Sequence, residues 1–363
     1  MKRLQCLPLV LIVVIGAGLA ARGTILAQAQ PTLTSAYRAE PVPLDPLAPA
    51  WNSATALQVP LTAQSGVAPA LAQATVNEVS VKSLNDGQRI AFLITWTDAT
   101  KDDHATRPDQ FRDAAAIQMP VTSTVPVICM GAVGQLVNTW HWKADWQTDI
   151  DQGFQEVVEA YPNFWNDYYP FVVGKPPYHV PTDFSSADAR AYFIGWTAGN
   201  PLSDPNRVTP VEDLNALGFG TLTHQKSQDV LGRGVWQNGQ WNVAFLRPLA
   251  SADPDDTQLA TGKASSVAFA VWNGSDQEVG ARKQLSSWVT LEIQGGGTTA
   301  ATVPVSQPQT GSAATTSSPL AAGVAVFTVL IALIGTLILL ALIVGVFGQV
   351  IYREIKKLWP NKS

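Results

Sequence analysis

Asn85-Asp86-Gly87-Gln88-Arg89-Ile90-Ala91-Phe92-Leu93-Ile94-Thr95-Trp96 is the stretch on which the fold turns. Asn-Asp-Gly supplies the left-handed backbone that a tight turn requires, and a β-rich apolar run follows at once. The same grammar recurs near the C-terminal end of the domain. Asn238-Gly239 precedes Trp241-Asn-Val-Ala-Phe-Leu246, and Val267-Ala-Phe-Ala-Val-Trp272 ends at Asn273-Gly274. Trp288-Val-Thr-Leu-Glu-Ile293 alternates and reads as a last strand. Residues 149–210 are rich in aromatics and proline and lack a clear period, so they read as long loops with short helical turns. No internal repeat is visible. The expected fold class is all-β: an antiparallel β-sandwich with long loops and short helices.

Composition agrees. The 363 residues include 27 Gly, 25 Pro and 12 Trp, with 46% hydrophobic and 14% charged residues. That mixture suits turns and strands better than a helical bundle. The net charge of −5, without a basic patch, argues against a nucleic-acid partner.

The two ends read differently from the middle. Met1-Lys2-Arg3, an apolar run to Ala21, and Ala27-Gln28-Ala29 form the pattern of a signal peptide over residues 1–29. Residues 30–294 form the domain. Residues 295–319 carry no charge and consist mainly of Gly, Thr, Ser, Ala, Pro and Gln, which predicts a flexible linker. Residues 320–351 also carry no charge, and at about 1.5 Å per residue they exceed a ~30 Å hydrocarbon core. They read as one transmembrane helix. Arg353, Lys356, Lys357 and Lys362 follow, which puts the tail, 352–363, in the cytoplasm and the domain on the periplasmic or outer face.

Enzyme signatures are lacking. The chain has no G-x-S-x-G, H-E-x-x-H, P-loop or dinucleotide fingerprint. His104, His141, His179 and His224 are not spaced as metal ligands. Asp98, Asp102 and Asp103 read as a solvated loop rather than as paired catalytic carboxylates. Cys6 would leave with the signal, so Cys129 is the one thiol of the mature chain, and no C-x-x-C-H occurs. Covalent c-type haem, an iron–sulfur cluster and a Cys-rich zinc site are thereby excluded.

The most unusual stretch is Val127-Ile-Cys-Met-Gly-Ala-Val-Gly-Gln-Leu-Val-Asn-Thr-Trp-His-Trp-Lys-Ala-Asp145. Read alone, Met130 ends an apolar strand as core filler, and Trp140 and Trp142 alternate onto one packed face.

With Leu44-Asp-Pro-Leu-Ala-Pro-Ala-Trp51, Thr95-Trp-Thr-Asp-Ala-Thr-Lys-Asp102, Phe111-Arg-Asp-Ala-Ala-Ala-Ile-Gln-Met-Pro120, Ala268-Phe-Ala-Val-Trp-Asn-Gly274 and Gly280-Ala-Arg-Lys-Gln-Leu-Ser-Ser-Trp288, this stretch resembles the haem b-binding gamma subunits of ethylbenzene dehydrogenase and its relatives, periplasmic molybdenum enzymes of the dimethyl-sulfoxide-reductase type. The resemblance implies one haem b in a β-sandwich, with a methionine and a lysine as axial iron ligands. It assigns these to Met130 and Lys283, with Lys143 as the fallback for the lysine. On charge alone, Arg282 or Arg247 are candidate partners for haem propionates. It also implies a catalytic molybdenum-cofactor subunit and an iron–sulfur subunit as partners, and an electron-transfer role rather than catalysis. The C-terminal apolar run departs from the best-known members. A competing expectation is a membrane-tethered carbohydrate-binding or adhesion module, with Trp140, Trp142 and Trp146 exposed to stack on sugar rings. A tethered hydrolase has no catalytic constellation behind it.

Overall fold

The computed structural model describes residues 30–126, 130–163 and 194–296. The proposed signal, linker, apolar span and tail lie outside these residues, apart from 295 and 296, as do His179 and Cys129. Among the described residues, no helix is long and apolar enough to cross a membrane.

The strands in chain order are β1 (Thr32–Tyr37), β2 (Leu57–Pro60), β3 (Thr62–Ala63), β4 (Glu78–Asn85), β5 (Arg89–Thr97), β6 (Ala114–Pro120), β7 (Val137–Lys143), β8 (Val211–Ala216), β9 (Thr223–His224), β10 (Leu231–Gln237), β11 (Gln240–Pro248), β12 (Ala264–Trp272), β13 (Gln284–Leu285) and β14 (Val289–Ile293). Helices are short: α1 (Ala144–Gln152), α2 (Val157–Ala160) and α3 (Ile194–Thr197). One layer runs β10-β11-β5-β4-β1-β14-β12, and the other runs β12-β6-β7-β8-β9. Strand β12 serves both. Its Ala264–Val267 half pairs with β14, and its Ala268–Trp272 half pairs with β6.

Both predicted hairpins form. Asn85 pairs with Ile90 across the Asp86–Gly87 turn. The β10–β11 loop is the dipeptide Asn238-Gly239, with φ of 53° and 71°, the left-handed pair of a type I′ turn. The expectation of a purely antiparallel sheet is corrected at β1, which pairs in parallel with both β4 and β14. It is the first strand of the domain and no short connection joins it to either neighbour, so no hairpin fixes its direction.

The layers meet over a tryptophan-rich core. Phe92 and Trp140 contact edge to face at 5.9 Å. Trp142 packs edge to face on Trp96 at 6.4 Å and on Trp241 at 4.9 Å. Strands β6 and β7 are covered on both faces. Ala115, Ile117, Met119, Trp140 and Trp142 point into the core. Their alternate residues point the other way, onto the outer face of the second layer.

Candidate functional site

That outer face carries small residues where a sheet commonly carries large ones. Across the strands, one row reads Leu285, Ala270, Ala116, His141, and the next reads Ala268, Gln118, Thr139, Leu214. Alanines at the centre leave a flat, apolar floor. Chain segments around 62–68, 130, 219–222 and 280–283 stand around it and enclose a cavity of about 780 Å³, within the usual range for a small-molecule or cofactor site.

Met130 and Lys283 both line this cavity. They are 153 positions apart in the chain, yet Lys283 Nζ lies 3.6 Å from Met130 Sδ. Met130 sits in a turn closed by an Ala132–Gln135 bridge, and it packs against Val137, Ala216, Ala268 and Trp288. Its neighbour Gly131 has φ of 74°, and a Cβ there would fall 2.5 Å from the Ala216 carbonyl oxygen, so only glycine lets the turn sit this close to β8. Lys283 directly precedes β13. Gln64 N donates to its carbonyl at 2.9 Å, and Gln64 Nε2 donates to Ala281 O at 3.0 Å. Trp272 Nε1 donates to Gly280 O at 3.0 Å and so ties the same segment to the end of β12.

Aromatic and polar groups complete the cavity. The Lys283 amine lies 5.0 Å from the Trp272 ring centroid, and Trp272 stacks on His141 at 4.6 Å. Burial, reinforced by the charges of Lys143, Arg112 and Lys283, holds the His141 imidazole well below its ordinary pKa, so it is neutral. His141 Nε2 and Gln118 Oε1 are buried and make no hydrogen bond within the protein. Gln118 Nε2 donates to Thr139 Oγ1 at 3.0 Å and lies 3.9 Å from Met130 Sδ.

The donor set suits a metal-centred, flat, apolar group. A thioether and an amine come together at 3.6 Å beside the floor, one soft and one nitrogen donor, both of which could hold a first-row metal ion. The alanine floor supplies the flat apolar wall.

Other sequence candidates fall elsewhere. Lys143 is buried in an ion pair with Glu212 and lies 3.6 Å from the Trp146 ring centroid; it does not line the cavity. Burial lowers its pKa to about 8 in spite of Glu212. Arg247 is fully buried, donates to Asn138 Oδ1 at 3.2 Å and pairs with Asp256, away from the cavity. Arg282 lies beside Lys283 in the chain and donates to Asp276 O at 3.4 Å. His104 pairs with Asp103 and His224 with Glu212.

Two expectations are overturned. Trp140 and Trp142 are fully buried in the core between the layers, and Trp146 is buried beneath Lys143 and Arg207, so no exposed tryptophan platform exists there for a sugar ring. Asp98 and Asp103 are likewise buried rather than solvated. Asp103 accepts from Thr148 Oγ1 at 2.7 Å and pairs with Lys101 at 2.6 Å. The residues missed by sequence reasoning are Ala116, Ala268, Ala270, Gln118 and His141. The signal was present as alanine or a polar residue at alternate positions through the middle of these strands: Ala116 and Gln118 in β6, Thr139 and His141 in β7, Ala268 and Ala270 in β12.

A family model described as ethylbenzene dehydrogenase matches residues 48–284. A chain of Haloferax mediterranei named as a respiratory nitrate reductase heme subunit is 28% identical over 251 residues, which cover 69% of this chain and 68% of that one. The chlorate reductase subunit gamma of Ideonella dechloratans is 24% identical over 265 residues, covering 72% of this chain and 84% of its own. Among solved structures, a family 9 carbohydrate binding module from Caldicellulosiruptor kristjanssonii, in complex with glucose, superposes at a TM-score of 0.36 with 8% identity, over 73% of this chain and 96% of its own. A likeness that loose carries no functional argument.

Proposed function

Because this chain belongs to the ethylbenzene dehydrogenase family, we propose that its β-domain holds one haem b between Met130 and Lys283 and serves as the electron-transfer subunit of a respiratory oxidoreductase. The observation that carries this reading is the convergence of Met130 Sδ and Lys283 Nζ to 3.6 Å within an alanine-floored cavity. The relatives named as a nitrate reductase heme subunit and a chlorate reductase gamma subunit support the same role.

A haem b bound there supplies a reversible one-electron iron couple. Met130 offers a soft, neutral thioether, which favours the ferrous state and raises the potential. Lys283 would have to give up its proton to act as a ligand. Trp272, Phe269 and the alanines give the site apolar walls. Met130 and Lys283 would both hold the group through the chain's own side chains, and the group would supply one-electron transfer to and from partner centres. His141 Nε2 and Gln118 Oε1, unbonded within the protein, face a cavity whose occupant can satisfy them.

The partners in this reading are a catalytic molybdenum-cofactor subunit and an iron–sulfur subunit. The domain is exported by residues 1–29 and held to the outer face of the membrane by residues 320–351, while the linker gives it reach toward its partners.

The test is a reduced-minus-oxidised visible spectrum of the full-length protein with Met130→Ala and Lys283→Ala alongside. The expected result is a b-type α band in the wild type, altered in both variants. Absence of any haem absorbance after haem-replete expression overturns the reading. An α band unchanged in both variants keeps the haem and removes these ligands.

A further inference from the structure

Away from the cavity, three aspartates from separate segments converge beside the core. Asp213 lies in β8, Asp229 just ahead of β10, and Asp256 in the connection between β11 and β12. Each brings one carboxylate oxygen within 4.8 Å of the other two. Asp213 and Asp256 are fully buried, and Asp229 is half-buried. The cation beside them is Arg247, also fully buried, whose Nη1 lies 3.5 Å from Asp256 Oδ1. Its other donors are turned to Asn138 Oδ1, Pro248 O and Thr257 O. With all three carboxylates ionised, one guanidinium would leave two negative charges, and burying uncompensated charge is strongly unfavourable.

Hydrogen bonding leaves the same gap. Asp213 Oδ2, Asp229 Oδ1 and both oxygens of Asp256 are buried without a hydrogen-bond donor. A neutral side chain independently adds a further oxygen. Gln225 is 4% exposed, and its Oε1 also has no donor. Its backbone N–H donates to Asp213 O at 3.0 Å and its Nε2 to Asp255 O at 3.3 Å, which holds the amide between the segments carrying Asp213 and Asp256. Buried unsatisfied oxygens are rare in folded proteins, yet these three aspartates carry four of them, and Gln225, bonded to the Asp213 and Asp255 carbonyls, carries a fifth.

We propose that Asp213, Asp229 and Asp256, with the Gln225 amide oxygen, bind one calcium ion. The donors are all oxygen, the set preferred by hard cations over zinc or iron. Ligands on opposite sides of calcium, at about 2.3–2.6 Å each, stand roughly 4.6–5.2 Å apart, and the observed cluster fits that span. Magnesium, at about 2.0–2.1 Å, demands a tighter octahedron. A divalent cation also cancels the two residual charges. Asp213 and Gln225 flank the segment that brings Phe219 and Leu222 to the cavity wall, so the ion fastens both ends of that wall.

The test uses the full-length protein, stripped with chelator and desalted, then titrated with calcium by calorimetry and followed by thermal melting. One calcium per chain is expected, with a rise in Tm of roughly 5–10 °C at calcium a hundredfold above Kd. Asp256→Asn and Asp229→Asn should each weaken binding by at least tenfold; if Asp256→Asn does not fold, the half-buried Asp229 position decides. Failure of calcium to bind or to shift Tm in the wild type overturns the proposal. So does a calcium-dependent shift that survives in both variants.

Discussion

The turn that carries Met130 provides a stringent test, because two glycines in it have nearly the same backbone but different surroundings. Gly131 has φ of 74° and Gly134 φ of 75°. An alanine at either position pays the left-handed penalty of about 1–2 kcal/mol. At Gly134 nothing lies within 4 Å of the new Cβ, so that penalty is the whole effect. At Gly131 the Cβ would stand 2.5 Å from Ala216 O and 2.7 Å from Gln135 O. Both are backbone atoms, one in β8 and one in the bridge that closes the turn, so neither can swing aside. Overpacking of this kind adds about 1–3 kcal/mol. The cheapest relief is a shift of the turn away from β8, which carries the Met130 thioether off the line to Lys283. Gly131→Ala should therefore bind haem about 5–150-fold more weakly than Gly134→Ala, as 1–3 kcal/mol converts. Its α band should lose the methionine-ligated form. Haem titration of the two stripped variants, with thermal melts beside it, measures the difference. Equal affinity and equal Tm in the two variants would refute the claim that this contact positions Met130.

Further outcomes follow from the same geometry. Lys143→Met leaves Glu212 facing His224 without its buried partner and should cost about 3–5 kcal/mol in urea melts, while the haem spectrum stays unchanged. Trp142→Ala removes the ring shared by Trp96 and Trp241 and should cost about 3–5 kcal/mol. Burial, with Asp98 nearby, pushes the Asp113 carboxyl up to about 7 from 3.8. The folded chain then keeps a proton that the unfolded chain releases, so this group's contribution falls as pH rises from about 4 to about 7 and is level above that. The size is about 2–4 kcal/mol. Urea melts across that window should show a loss of stability that is smaller in Asp113→Asn than in the wild type, since Asp213 and other buried carboxyls still contribute; an equal or larger loss in the variant would contradict the assignment.

Much of the fold is written locally. Asn85-Asp86-Gly87 and Asn238-Gly239 carry their turn geometry in their own side chains, and the β-rich runs beside them pair as strands, as read. The parallel insertion of β1 between β4 and β14 was not legible, because nothing local ties its direction to neighbours more than forty positions away. The tryptophans misled for a related reason. Trp140 and Trp142 do share a face, but alternation alone does not say which face the second sheet covers. The site divides the same way. Met130 and Lys283 entered only through family resemblance, and no spacing rule links residues so far apart. The alanine floor is a pattern of what is missing, and it acquires meaning once Ala116, Ala268 and Ala270 are seen side by side. The aspartate cluster was hidden because its members lie on three separate segments and acidic residues in loops ordinarily face water.

The central claim is that one iron lies between Met130 and Lys283. X-ray absorption at the iron edge of the haem-loaded full-length protein addresses it most directly. The account predicts one sulfur scatterer among lighter ligands in the wild type, lost in Met130→Ala and retained in Lys283→Ala. An iron shell without sulfur in the wild type would contradict it.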